Sequence, residues 1–443
     1  MRRDQLTTTV TPLEEALSPD RLNHLARESG FCQRYRQIDP AELAISLVAA
    51  LGSQAVESLA DLHRYFQQMT TSEVGYRAFH DRLCAPHFDQ FMLSCYTHQV
   101  GKLCLDVLRT LPDNPYGRFD AILIQDGTSF AVHDSLKTAL PGRFHTVKPA
   151  AVEIHATLEL KTESCRQVAV GPDTQSERTF LPKPDELKDQ LLLADQGYGS
   201  ARYFQAVDQA GGFYLIRVPQ DWNPQVVGIW HGAQLFPLRQ SVALREWRAL
   251  WPGQVLDVEV QWSVDGQPYV GRMVLLRLAD GKWMHLATNL PAAEFSSEAV
   301  LTGYRLRWQV ELLFKEWKSY ANLHQFETRS PSAAMGLIWA SLMAATWKRF
   351  LAHATQWLYR VAISTRKTAM SAQLWLYRIA CATIHARSHL PNVLRDCYRF
   401  LSKAARRSHP ARERQRGRLK LGFAHTQRHV NKLKCLPRMP LAA

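Results

Sequence analysis

YRLRWQVELLFKEWK, residues 304–318, contains neither Gly nor Pro and follows a helix start, Ser296 or Ser297 with Glu298 just behind it. At about 100° per residue, Tyr304, Arg307, Glu311 and Lys318 fall within an arc of roughly 60°. One helix face therefore stacks a phenol, a guanidinium, a carboxylate and an ammonium. The other faces carry Leu306, Trp308, Val310, Leu312, Leu313, Phe314 and Trp317, so the helix is expected to be largely buried and its polar stripe needs partners or a cleft. Two readings stand at this point. Arg307–Glu311 and Glu311–Lys315 are i,i+4 pairs, which suits an ordinary surface stripe. Alternatively, a carboxylate flanked by cations is what a metal site beside a phosphate backbone needs, and that reading calls for further carboxylates elsewhere.

The chain around this stretch is 443 residues long, enough for two or three domains, with 46% hydrophobic and 21% charged residues. Its net charge of +14 points to a polyanionic partner. The excess is concentrated at the end, where residues 401–443 hold twelve Lys and Arg against Glu413 alone. The run after Ser408 is expected to be solvated, with salt-dependent nonspecific binding. Eight scattered cysteines, with no CxxC and no HExxH, exclude a disulfide framework and the common zinc sites. The N-terminus MRRDQLTTTV carries no apolar signal segment, and the longest uncharged apolar run, residues 333–347, is too short to span a bilayer.

Residues 1–110 are expected to be a helical domain, with helices over Leu13–Ala26, Pro40–Leu51, Val56–Gln68 and Ala85–Leu108. Arg34, Arg36, Arg64, Arg77 and Arg82 are interleaved. A basic helical face suits DNA binding, although packing or dimerisation would use the same pattern. LPDNPYGRF (111–119) reads as a linker. Strands follow at Phe119–Gln125, Val152–Leu160, Cys165–Val170 and Leu191–Ala194, then a helix over Ser200–Ala210 and a strand Phe213–Val218. Asp126 ends the first strand and Asp195 the fourth, each beside Gly or one residue from it. A mixed α/β sheet with carboxylates at those two strand ends is the plan of a ribonuclease-H-like core. Residues 220–290, with six tryptophans and a VDGQP turn between two alternating runs, read as a β-rich insertion. Tryptophan this dense is chiefly core packing; stacking of one ring on an unpaired base is the minority reading. Helices over about 333–362, 368–388 and 391–405 complete a helical C-terminal region (326–405), with dimerisation as its expected role, ahead of the basic tail, 406–443.

Asp126, Asp195 and Glu311 thus become candidates for one site, and three carboxylates holding two divalent ions can activate water or a 3′-OH in phosphodiester chemistry. Oxygen-only ligands suit magnesium. At these residues the chain resembles a bacterial insertion-sequence DDE transposase of the group with the Tyr-Arg-Glu-Lys signature. Tyr304, Arg307, Glu311 and Lys318 meet the signature's spacing in full. Leu193–Tyr198 resembles the second acidic motif, Ile124–Ser129 the first, and residues 148–155 and Leu286–Leu290 also fit. The match covers about residues 115–325. It departs at Gln196, where the family more often has Arg.

The resemblance implies that Asp126, Asp195 and Glu311 bind two Mg2+ ions, with Mn2+ able to substitute. It implies that Tyr304, Arg307 and Lys318 hold the phosphate of a transposon end. The expected function is recognition of terminal inverted repeats, hydrolysis to free a 3′-OH, and strand transfer into target DNA, cut-and-paste, by a homodimer on double-stranded DNA. A cytoplasmic, nucleoid-associated location with no membrane partner goes with it. The alternatives are an inactive or domesticated DNA-binding copy, or a ribonuclease-H-like nuclease without strand transfer.

Overall fold

The structure, a computed structural model, describes residues 3–34, 37–53, 56–103, 115–323 and 327–408. Part of the 111–119 linker, the end of the Ala85–Leu108 helix, Arg36 and the tail after Ser408 lie outside them. Six helices open the chain: α1 (Arg3–Ala16), α2 (Pro19–Glu28), α3 (Pro40–Leu51), α4 (Leu59–Thr70), α5 (Tyr76–Leu83) and α6 (Phe88–Leu103). The single helix expected over Leu13–Ala26 is two. Pro19 holds Ser18 in extended conformation (φ −61°, ψ 115°), and α2 starts afresh on the proline. Pro40 likewise opens α3, with Asp39 capping it by accepting from the Glu42 N–H.

Ten strands then form one sheet in the order β3-β2-β1-β4-β5-β10-β9-β8-β6-β7. The first five are β1 (Ile122–Ala131), β2 (Ala151–Glu159), β3 (Ser164–Pro172), β4 (Leu191–Ala194) and β5 (Phe213–Val218), with α7 (Ala201–Gln209) between the last two. β1–β3 are antiparallel neighbours, and β4 and β5 run parallel to β1 and to each other. This is the ribonuclease-H-like core. One expectation is corrected here: Asp126 does not end the first strand. β1 runs five residues past it, through the Asp-Gly turn signal, because β2 pairs with it from Leu123↔Glu159 to Ala131↔Ala151.

The segment after β5 holds β6 (Gln225–His231), β7 (Gln234–Ala243), α8 (Leu244–Leu250), β8 (Val255–Val264), β9 (Gln267–Arg277) and β10 (Trp283–Thr288). The β8–β9 turn has Asp265 and Gly266 at φ +52° and +78°, the pair of left-handed residues a tight hairpin needs. β10 pairs antiparallel with β5 (His285↔Val218 to Thr288↔Leu215), so these strands extend the core sheet edge to edge. Trp262 and Trp283 are buried in it, Trp262 stacking on Tyr269. The extension is tied down by a buried ion pair. Arg272 Nε and Nη2 donate to Asp257 at 2.9 and 2.6 Å, and Arg272 Nη1 donates to the Leu290 and Phe295 carbonyls at 3.0 and 2.9 Å.

α9 (Ser297–Tyr304) is capped by Ser296, and a single 3-10 turn (Arg305–Arg307) leads into α10 (Trp308–Tyr320). α11 (Pro331–Tyr359), α12 (Thr365–Ser371), α13 (Gln373–His385) and α14 (Leu390–Ala404) follow. One apolar core runs through α1–α6, α10, α11, α13, α14 and the face of β1 and β2 beneath them. Gly336 of α11 lets the Phe88 ring of α6 approach to where a Cβ would stand 2.3 Å away. Trp347 of α11 donates to Gln99 of α6 at 2.7 Å.

Lys348 of α11 is 2% exposed and donates to the Tyr320 carbonyl at the end of α10, at 2.6 Å. Burial pulls its ammonium pKa down to about 7. Below that value folded and unfolded chains both carry the proton. Between it and the ordinary lysine value the unfolded chain holds one proton more, so this group's contribution to stability rises with pH. Relative to Lys348→Met, the native protein should gain up to ~1.4 kcal/mol per pH unit above about pH 7. Urea midpoints of both proteins across that range test this; parallel profiles would refute it.

Candidate active site

β4 stops at Ala194, level with Gln125 of β1. Asp126 and Asp195 therefore stand on the next rung, where the parallel neighbour is gone and a cleft opens. The chain turns sharply at both. Asp126 accepts from the Gly127 N–H at 2.9 Å, and Asp195 from the Gln196 N–H at 2.8 Å, capping the 3-10 turn Gln196–Tyr198. The start of α10 lies across this cleft, with Val310, Leu313, Phe314 and Trp317 buried on its other side.

The stripe that the sequence places on one face meets the two aspartates. Tyr304 donates to Asp195 at 3.1 Å. Arg307 bridges two carboxylates, donating to Asp126 at 2.7 Å and to Glu311 at 3.0 Å. Lys318 donates to the Ser129 carbonyl on the far half of β1 at 3.1 Å. All six residues singled out in the sequence thus fall in one connected cluster, the signature side chains contacting the aspartates or their strand. Glu311 and Asp195 keep 29% and 32% of their side-chain surface open, against 16% for Asp126. Burial pushes the Asp126 carboxyl up to about 6, despite Arg307 and the Gly127 N–H, and Asp195 and Glu311 add to the rise. Burial opposes the Arg307 charge, but Tyr304, Asp126, Asp195 and Glu311 together raise its pKa. The Tyr304 phenol is also pushed up, by burial and then by Asp195.

Residues 117–347 match the transposase DDE domain, more than half of the chain. The chain belongs to the DDE transposase family. It is similar to the transposase of the insertion sequence IS231F of Bacillus thuringiensis subsp. israelensis, with 23% identity over 82% of this chain and 83% of that one. The IS231D transposase of Bacillus thuringiensis subsp. finitimus is 24% identical over 73% and 75%. The IS1151 transposase of Clostridium perfringens is 21% identical over 75% and 78%. Among solved structures, a piggyBac transposase synaptic complex with hairpin DNA matches with a TM-score of 0.47 and 11% identity, over 92% of this chain and 86% of that one.

This DNA transposase carries site features that sequence reasoning missed. Arg217 at the end of β5 brings its guanidinium to 3.7 Å from Asp195. Ala194 pairs with Ile216, so the residue after each falls on the same rung; strand pairing, unreadable from one sequence, was the missing signal. Trp308, expected among the buried faces, is 47% exposed and lies on the flank of exposed Lys315, whose ammonium is 5.8 Å from the ring centre. Behind the aspartates, on the opposite face of β1 and β2, lies a buried polar chain. Thr157 donates to Gln125 at 2.6 Å, and Tyr198 Oη lies 3.0 Å from His155 Nδ1. The His155 ring stacks on Phe180, with Glu153 at 3.6 Å from Nε2. This chain joins the Asp195 turn to the strand after Asp126. Tyr198→Phe strips the buried imidazole of its hydroxyl partner and should cost about 1–3 kcal/mol, read from urea unfolding; an unchanged midpoint would discount the contact.

Donor type suits a divalent cation: Asp126, Asp195 and Glu311 offer only oxygen, and Asp126 keeps just 16% of its side-chain surface open. Among the described residues no three such side chains stand close enough to enclose an ion, and Arg307 spans the gap between Asp126 and Glu311. No helix among the described residues is long and apolar enough to cross a membrane, and their six cysteines are free.

Proposed function

We propose that this transposase belongs to the Tyr-Arg-Glu-Lys group and mobilises its own insertion sequence by cut-and-paste. In this reading it binds the terminal inverted repeats, hydrolyses a phosphodiester at each end and transfers the freed 3′-OH into target DNA. The observation that carries the reading is the gathering of Asp126, Asp195 and Glu311 at one cleft, with Arg307 bridging two of them. Asp126, Asp195 and Glu311 would hold Mg2+ or Mn2+, two ions per site, which when bound polarise the phosphate and activate the attacking oxygen.

The chain's own residues bind and orient. Arg307 has a planar fork suited to a phosphate and is already held in place by two carboxylates. Lys318 supplies a point charge at the far end of the stripe, and Tyr304 a hydroxyl beside Asp195. Arg217 adds a cation at the Asp195 side, where Gln196 lacks one. Residues 1–110 read DNA, 115–325 do the chemistry, 326–405 contribute to a homodimer and 406–443 add nonspecific affinity. The protein works on the nucleoid in the cytoplasm.

The test is a cleavage assay with the element's own ends, Mg2+ or Mn2+, and an Asp195→Ala control. Metal-dependent nicking at the ends that the control lacks, followed by joined products, is expected. Nicking without joining would replace the reading by a nuclease, and end binding alone by an inactive copy.

A further inference from the structure

α10 has a second polar flank, beside the one that meets the aspartates. Gln309, Leu312 and Ser319 of this flank face α12 across an open groove of about 670 Å³, completed by Leu158 and Leu160 at the end of β2. Its two carboxylates are already neutralised. Glu316 accepts from Arg349 at 3.0 Å and from Thr365 at 2.6 Å. Glu163 has Arg407 at 3.5 Å and His353 at 3.8 Å. Three further cations remain. Lys315 is exposed, with its ammonium 5.8 Å from the centre of the Trp308 ring. Arg366 donates to the Tyr320 hydroxyl, at 3.4 Å, and Lys367 to the Arg406 carbonyl and Ser408 hydroxyl, at 2.8 and 3.0 Å. Among the described residues no ion pair holds Lys315, Arg366 or Lys367. Cations on both walls of a groove whose acids are occupied make a site for an anion.

Two observations favour an extended polyanion over a small one. Lys315 is one helical turn from Glu311 on the same helix, so the groove begins beside the catalytic cleft. Ser408 lines the groove, and the chain passes from it into residues 409–443, which carry nine Lys and Arg against one acid. We propose that the α10–α12 groove is a second track for a DNA phosphodiester backbone, holding duplex beyond the reacting phosphate. The inference rests on the functional reading above and names where that DNA continues.

The test uses the full chain and a duplex of arbitrary sequence, with affinity measured by fluorescence anisotropy across a salt series. In the variant Lys315→Glu/Arg366→Glu/Lys367→Glu, the slope of log Kd against log salt should become shallower by about 2 to 3, one lost phosphate contact per cation. A variant ending at Ser408 should lose slope separately, and the two losses should add. Circular dichroism and Tm establish that the triple variant is folded. An unchanged slope in the folded triple variant overturns the track, as does slope loss confined to the truncated variant. Inorganic phosphate is the small-anion probe. If it raises the Tm of the native protein but not of the triple variant, while DNA affinity is equal in both, the groove is a small-anion site and the proposal is wrong. Failure of the native protein to cleave its ends would refute the functional reading; cleavage by a native protein whose triple variant binds normally refutes only the groove.

Discussion

Glu311→Ala is expected to abolish end cleavage, by about 10³-fold or more, while duplex affinity and fold stay within a few-fold of native. The reason lies in position. Glu311 sits on the open side of α10 with 29% of its side chain exposed, and its partner Arg307 keeps a second carboxylate in Asp126. Alanine is the best helix former, so the backbone loses nothing, and the half-buried i,i+4 ion pair is worth about 1 kcal/mol or less to stability. Reaction chemistry is different, since a carboxylate absent from the cleft cannot be replaced by water without losing its charge. Cleavage rates under single-turnover conditions, beside anisotropy and thermal melts, separate the effects. Cleavage retained by a folded mutant would remove Glu311 from the reaction.

Arg272→Met should be the most damaging single change to stability outside the apolar core, costing about 3–5 kcal/mol. Arg272 and Asp257 are each 5% exposed, and the guanidinium also serves the Leu290 and Phe295 carbonyls. Removing it buries an uncompensated carboxylate, which keeps only the Ser297 hydroxyl at 2.7 Å, and orphans two carbonyls. Those carbonyls and Ser297 lie where the sheet extension hands the chain to α9, so the loss should also loosen the approach to α10. Urea unfolding gives the cost. The double change Arg272→Met/Asp257→Leu should recover much of it, and no recovery would mean that the damage is steric rather than electrostatic.

What the sequence made legible was local. The strand Phe213–Val218 is legible to the residue, because Gly211 and Gly212 precede it and Pro219 follows it. The signature residues could be grouped because helical periodicity alone puts them on one face. What stayed hidden depends on partners distant in the chain. β1 passes through an Asp-Gly turn signal because β2 offers hydrogen bonds along its whole length, a tertiary override of local preference. The joining of β10 to β5 turns an expected insertion into more of the same sheet, and no periodicity announces it. Arg217 reaches Asp195 only through the register of two parallel strands. The break between α12 and α13 at Ala372 falls in a run without Gly or Pro, and nothing in the local pattern marks it.

The apolar core that the first six helices share with α11, α13 and α14 has a consequence for how the polypeptide can be divided. α11 lies with Phe88 of α6 against its Gly336, Gln99 of α6 on its Trp347, and the end of α10 held to its Lys348. Opening the chain near residue 115 would strip one flank of α11 and leave a wide greasy surface on whatever remained. Limited proteolysis should therefore release no durable catalytic fragment, and a gene copy that has lost its 5′ quarter should yield a polypeptide that aggregates instead of competing with the intact protein for DNA.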